Sequence, residues 1–193
     1  MDIFIVVLCL SVTGYSIYLF RNDLYQTINL QNVEPAGTII IKNNVAQRRI
    51  ADRILWDRLA VESPVYLGDL IRVAELSAAT LNIDNQQLDL GENTLIRIQR
   101  APDGEGFLIE LSEGTLSMTT NAEGSLWLDL MGRIVEAAPG TALAASTGKE
   151  GLSLQVNEGT ARFVGEDGNR EIASGRRSLL TPKAYSETNR RQW

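Results

Sequence analysis

The stretch Ile109-Glu110-Leu111-Ser112-Glu113-Gly114-Thr115 decides how this chain reads. It runs apolar, polar, apolar, then Ser-Glu-Gly-Thr: a half-buried strand, a glycine free to take a positive φ, and a new strand. The same order returns 45 residues later as Leu154-Gln155-Val156-Asn157-Glu158-Gly159-Thr160. Two similar hairpins explain the echo, and so does a repeated β-unit in a solenoid-like stack.

Working outward, short alternating or apolar runs closed by Gly, Asn, Asp or Pro dominate from Gly37 onward. Strands are expected over Thr38–Lys42, Leu70–Val73, Ala79–Ile83, Leu95–Ile98, Gly106–Leu111, Thr115–Thr119, Leu126–Leu130, Arg133–Ala137, Leu152–Val156, Thr160–Val164 and Arg177–Leu180. Such spacing suits a sandwich, a barrel or a solenoid. One stretch departs from it: Ala46–Leu59 places Ile50, Ile54 and Leu55 at helical spacing, and reads as a helix or as a strand pair.

At the other end, Ile3–Phe20 is 18 residues without a charge. As a helix it spans roughly 27 Å, close to the ~30 Å of a bilayer's hydrocarbon core. Ile3, Phe4, Val7, Leu10 and Phe20 supply apolar surface, while Tyr15 and Tyr18 suit the interface and Arg21 can snorkel to headgroups. The segment reads as an uncleaved transmembrane anchor in contact with membrane lipid. A cleaved signal peptide lacks its basic start and small-x-small site here, and a lipoprotein signal at Cys9 follows the bulky Leu8. A buried core helix is the remaining alternative. Met1-Asp2 and Arg21 leave the orientation open on charge alone.

The composition narrows the chemistry. With 18 Lys plus Arg against 24 Asp plus Glu, the net charge of −6 disfavours nucleic acid as a partner. There is no histidine, and Cys9 is the single cysteine, so the commonest base and any thiolate in the β-region are excluded. Ser146-Thr147-Gly148-Lys149 satisfies S-x-x-K, but Glu150-Gly151 follows and no S-D-N occurs. Leu143 and Glu150 likewise break a phosphate-loop reading of Gly148-Lys149. Asp84, Asp89 and Glu92 read as turn residues rather than paired catalytic carboxylates or a cation site, Trp56 and Trp127 as core, and Trp193 as exposed. No catalytic, cofactor or metal site is expected.

From Gly37 the order of motifs resembles the FecR domain, a β-rich extracytoplasmic module of bacterial envelope proteins. The resemblance is carried by Gly37-Thr38-Ile39-Ile40-Ile41, Trp56-Asp57-Arg58-Leu59 and above all Gly68-Asp69-Leu70-Ile71-Arg72. It continues through Ala78–Ile83, Asn93-Thr94-Leu95, Glu113-Gly114, Glu158-Gly159 and Ala173-Ser174-Gly175, covering about residues 37 to 181. Asp84-Asn85-Gln86 departs from the family's Asp-Gly hairpin and Val73 from its usual Thr. Read from the residues, Gly68-Asp69 turns, Leu70 and Ile71 enter a strand, and Arg72 pairs with Asp69 across the bend.

The expected fold is therefore all-β, a twisted solenoid-like or sandwich-like FecR-type domain preceded by one transmembrane helix. Its divisions are an anchor over 1–20, a linker over 21–36, the β-domain over 37–183 and a polar tail over 184–193. The resemblance implies an inner-membrane protein with its domain in the periplasm, docking an envelope protein partner. Because only Met1-Asp2 precede the helix, the cytoplasmic sigma-factor-binding region of the family's regulators has no counterpart, nor does their C-terminal secretin-like module. An interaction or scaffold module is the leading expectation, and a sensory component of transmembrane signalling the alternative.

Overall fold

A computed structural model of the chain describes the backbone of residues 2–26, 34–51, 53–122, 124–148, 151–164, 170–175 and 177–180; side chains are described for these except 2–5, 20–26, 170 and 177–180. Lys149 of the S-x-x-K stretch, the expected tail and Trp193 lie outside the described residues. The chain divides into two units, Met1–Glu34 and Pro35–Trp193.

Among the described residues the first unit holds a single helix, α1 (Asp2–Gln26), which continues past Phe20 because Arg21 to Gln26 contain neither Pro nor Gly to stop it. Ser11 and Thr13 donate back to the carbonyls of Val7 and Cys9, both at 2.8 Å, so their hydroxyls are satisfied within the helix. Val6, Val7, Leu8, Leu10, Val12, Tyr15, Ile17, Tyr18 and Leu19 are all exposed. Among the described residues no helix is long and apolar enough to cross a membrane. Described side chains in α1 run from Val6 to Leu19.

Among the described residues the regular structure of the second unit is all β-strand. Its strands are β1 (Gly37–Asn43), β2 (Ala46–Arg49), β3 (Asp57–Arg58), β4 (Pro64–Val65), β5 (Leu70–Val73), β6 (Ala78–Ile83), β7 (Gln86–Leu90) and β8 (Thr94–Arg100). There follow β9 (Phe107–Thr119), β10 (Leu126–Leu130), β11 (Arg133–Ala137), β12 (Ala142–Gly148), β13 (Gly151–Glu158), β14 (Thr160–Val164), β15 (Arg170–Ala173) and β16 (Arg177–Leu180). One run of paired strands is β4-β1-β6-β7-β9-β12-β13-β16. The other is β3-β2-β5-β8-β9-β10-β11-β14-β15. All pairs are antiparallel except β9 with β10.

The long strand β9 belongs to both runs, and the side chains show how. Inward residues are odd-numbered before the crossing (Ile109, Leu111) and even-numbered after it (Leu116, Met118), all at most 1% exposed. A register shift opposite Leu95/Ile96 and Gly114 at φ 98° make the switch, since one extra residue flips every later side chain to the other face. The tight turn expected at Glu113-Gly114 is thus a crossing inside one continuous strand. Side chains from both runs, such as Leu81, Leu88 and Leu154 with Ile71, Ile96 and Leu128, meet in one apolar core.

Three expectations are decided or changed. Of the two readings of Ala46–Leu59 the strand pair is the one found: Ala46 and Arg48 are buried and Gln47 and Arg49 half-buried, the period of a strand, and β3 pairs with β2. Within the segment read as turns around Asp89, Asp84-Asn85 and Glu92-Asn93 do turn, while Asp89 itself lies in β7. Asp84 and Asn85, with φ of 50° and 61°, close the β6–β7 hairpin with both central residues left-handed, as a type I′ turn requires. The strand β12, ALAASTG, was not expected at all, because small residues occupy much of it; Leu143, Ala145 and Thr147 point inward.

Candidate functional site

The Gly68–Arg72 motif is a structural joint. Gly68, at φ 89°, donates to the Ile98 carbonyl at 2.7 Å, and Ile98 donates to that of Asp69 at 3.0 Å. This ties the entry of β5 to β8. Ile71 is wholly buried in the core. Asp69 is 1% exposed; its carboxylate accepts the Tyr66 N–H at 2.9 Å and faces the Arg48 guanidinium at 3.7 Å. Burial pushes the Asp69 carboxyl above its ordinary 3.8, against the opposing pull of the Tyr66 N–H and Arg48. Arg48 in turn donates to the Pro64 carbonyl at 2.7 Å and lies over the Tyr66 ring at 5.8 Å.

Arg72 plays no part in this joint. It is exposed at the centre of β5, and the expected Asp69–Arg72 pair is not formed. Residues three apart on an extended strand point to opposite faces, which rules that pair out. The true partner, Arg48, comes from another strand, and no local spacing could have indicated it.

Beside the joint, the loop between β2 and β3 projects two large apolar side chains: Ile54 is 89% exposed and Leu55 76%. Trp56, expected in the core, is half-buried with the Arg49 guanidinium 5.4 Å from its ring. A second exposed apolar set lies along β1. Strand β4 and the Ser63 carbonyl pair its outer side as far as Ile39. From Ile40 to Asn43 that side has no partner strand among the described residues, and Ile40, Ile41 and Val61 are exposed.

The outer face of the second run carries a separate apolar cluster of Ala101, Leu108 and Trp127, with Ile134 and Val164 against it. Trp127 is buried as expected, though outside the main core. Acidic residues surround this cluster. Arg97 and Gln99 both reach the Glu110 carboxylate, and Asp129 stands opposite Glu110 across the β9–β10 pair. Burial pushes the Asp129 carboxyl above its ordinary value, opposed by the Gly132 N–H and reinforced by Glu110. A shallow cleft of about 270 Å³ is lined by Glu136, Thr160, Arg162 and Glu171, with Arg162 and Glu136 ion-paired.

Asp84, Asp89 and Glu92 do not converge. Asp84 sits in its turn, Asp89 accepts from Thr80 and Gln87, and Glu92 accepts the Leu76 N–H at 2.9 Å. Among the described residues no three metal-ligating side chains are grouped. Glu113 and Glu158 are exposed, while their following glycines, Gly114 and Gly159, make corners. Of the expected anchor residues, Val7, Leu10, Tyr15 and Tyr18 are exposed on α1; the side chains of Ile3, Phe4 and Phe20 lie outside those described.

No family model matches the chain, and no solved structure matches it. An uncharacterized protein of Treponema pallidum (strain Nichols) is 35% identical over 65 residues, which is 33% of this chain. The matched stretch spans about 10% of that protein's length.

Proposed function

We propose that the chain is a membrane-anchored, non-enzymatic envelope protein of FecR type, whose β-domain docks a protein partner. One observation carries the reading: every face of α1 between Val6 and Leu19 presents exposed apolar side chains. A helix apolar all round is at home in lipid or in a core. In sequence, Ile3–Phe20 is 18 residues without a charge. The β-domain is sandwich-like in this reading, a view supported by two strand runs sharing one core. The unpaired side of β1, with Ile40, Ile41 and Val61 beside it, suits a partner that adds a strand. Placement of the domain in the periplasm follows from the FecR resemblance.

Expressed in a bacterial host, the chain stays with membranes after alkaline carbonate washing, and external protease digests its β-domain in spheroplasts. Release into the wash sinks the anchor. Protection of the domain while a periplasmic control is digested sinks the orientation.

A further inference from the structure

We propose that the loop between β2 and β3 is a second membrane contact, seating Ile54 and Leu55 among anionic lipid headgroups; the idea rests on the reading of α1 as an anchor. Two adjacent aliphatic side chains at 89% and 76% exposure form a tip with no cover of their own. Around them the charge is positive in a chain of net charge −6. Arg53 and Arg58 are exposed, Arg49 stacks on Trp56, and Arg72 lies one strand beyond Arg58 through Gln47. Among the described residues none of these four arginines has a carboxylate at ion-pair distance. Of the nearby acids, Asp52 belongs to the loop by sequence, and Asp57 faces away from Arg58 across β3.

This combination matches an interface rather than a protein pocket. Aliphatic side chains enter the boundary between headgroups and acyl chains, guanidinium groups pair with anionic headgroups, and a tryptophan ring prefers that depth. A protein partner's hot spot is by contrast a concave, desolvated patch, and this tip stands out from the surface.

The test uses the full chain in nanodiscs of phosphatidylglycerol or phosphatidylcholine, in a Cys9→Ser background. An environment-sensitive dye is attached at Leu55→Cys and, as a control on an exposed strand position, at Ser117→Cys. In phosphatidylglycerol the dye at 55 shifts to shorter wavelength, and nitroxide lipids quench it at least fivefold more than at 117. Phosphatidylcholine, or Arg53→Gln with Arg58→Gln, lowers that quenching several-fold. A dye at 55 as open to water as at 117, in discs that hold the chain, overturns the contact and leaves the anchor standing. Equal quenching in the two lipids overturns the role of charge. A shift that appears only on adding solubilised membrane proteins assigns the loop to a protein and overturns the proposal. A chain that never enters the discs overturns the anchor itself.

Discussion

The hydroxyl of Thr94 accepts the backbone N–H of Thr115 at 3.1 Å and donates to the carbonyl of the same residue at 3.0 Å. One side chain thereby replaces a strand's pairing step at the point where β9 changes runs. Thr141 does the same for Thr160, at 3.2 and 2.9 Å. In each case a left-handed residue precedes the threonine, Asn93 or Gly140, and a left-handed glycine precedes its partner, Gly114 or Gly159. A related corner uses Ser77, which accepts the Val45 N–H at 3.1 Å but donates to the Glu75 carbonyl at 3.0 Å, with Leu76 and Asn44 left-handed.

Removing the hydroxyl should therefore strand a backbone N–H at a corner. Thr94→Val, which keeps the shape, is expected to cost about 1–3 kcal/mol, and Thr94→Ser far less. Thr141→Val should behave alike, and the two costs should add, because the corners share no hydrogen bond. Denaturant unfolding of the full chain in detergent measures all four. Equal stability of Thr94→Val and wild type would remove the corner's assigned role.

The corner glycines are held by conformation and by space. A Cβ on Gly114 would lie 2.5 Å from the Thr94 Cα, and one on Gly159 2.8 Å from the Thr141 Cα. Gly132 has a similar φ of 82° with nothing near. Gly132→Ala should cost about 1 kcal/mol of strain, whereas Gly114→Ala and Gly159→Ala should each cost about 2–5 kcal/mol. Thermal unfolding separates the two classes, and three similar losses would contradict the steric account.

At the Gly68 joint, Asp69→Ala leaves Arg48 buried without its carboxylate and Tyr66 without an acceptor. The expected loss is about 3–5 kcal/mol. Arg72→Ala, on the exposed face, should change stability by less than about 0.5 kcal/mol. A large effect at Arg72 would restore the pairing that the strand geometry rules out.

The echo between 109–115 and 154–160 was visible in the sequence because both copies carry Glu-Gly-Thr, and glycine advertises positive φ. The related corner at Ser77 was hidden, since Asn44 and Leu76 reach the same conformation without glycine. Alternation exposed β8 and β10, whose inward residues include Ile96, Ile98, Leu126, Leu128 and Leu130. It missed β12, whose inward positions include Ala145 and Thr147, and left β2, whose buried residues are Ala46 and Arg48, open between helix and strand. An arginine on an inward position defeats a reading based on polarity, because its burial depends on Asp69, Tyr66 and Pro64, all more than fifteen residues away. The exposed tip at Ile54-Leu55 misled for the opposite reason: apolar residues at helical spacing imitate a buried helix face.

Asp129 offers a test of the acidic outer face through pH. Its carboxyl is raised in the fold by burial and by Glu110 opposite it, so the native state binds the proton more tightly than the unfolded chain. The stability this contributes is fully present below the ordinary 3.8 and is lost as pH rises through the elevated native value. At neutral pH the ionised group therefore weakens the fold. Asp129→Asn keeps an oxygen to accept the Gly132 N–H and removes the charge beside Glu110. Its melting temperature should exceed that of the wild type at pH 7, with the gap narrowing as the pH falls toward 3.8 and Asp129 takes up its proton. Asp69, raised in the same direction, is common to both proteins and cancels in the difference. Melting curves across that range decide the matter: a gap independent of pH, or a less stable Asn variant at pH 7, would mean that the Gly132 hydrogen bond outweighs the charge.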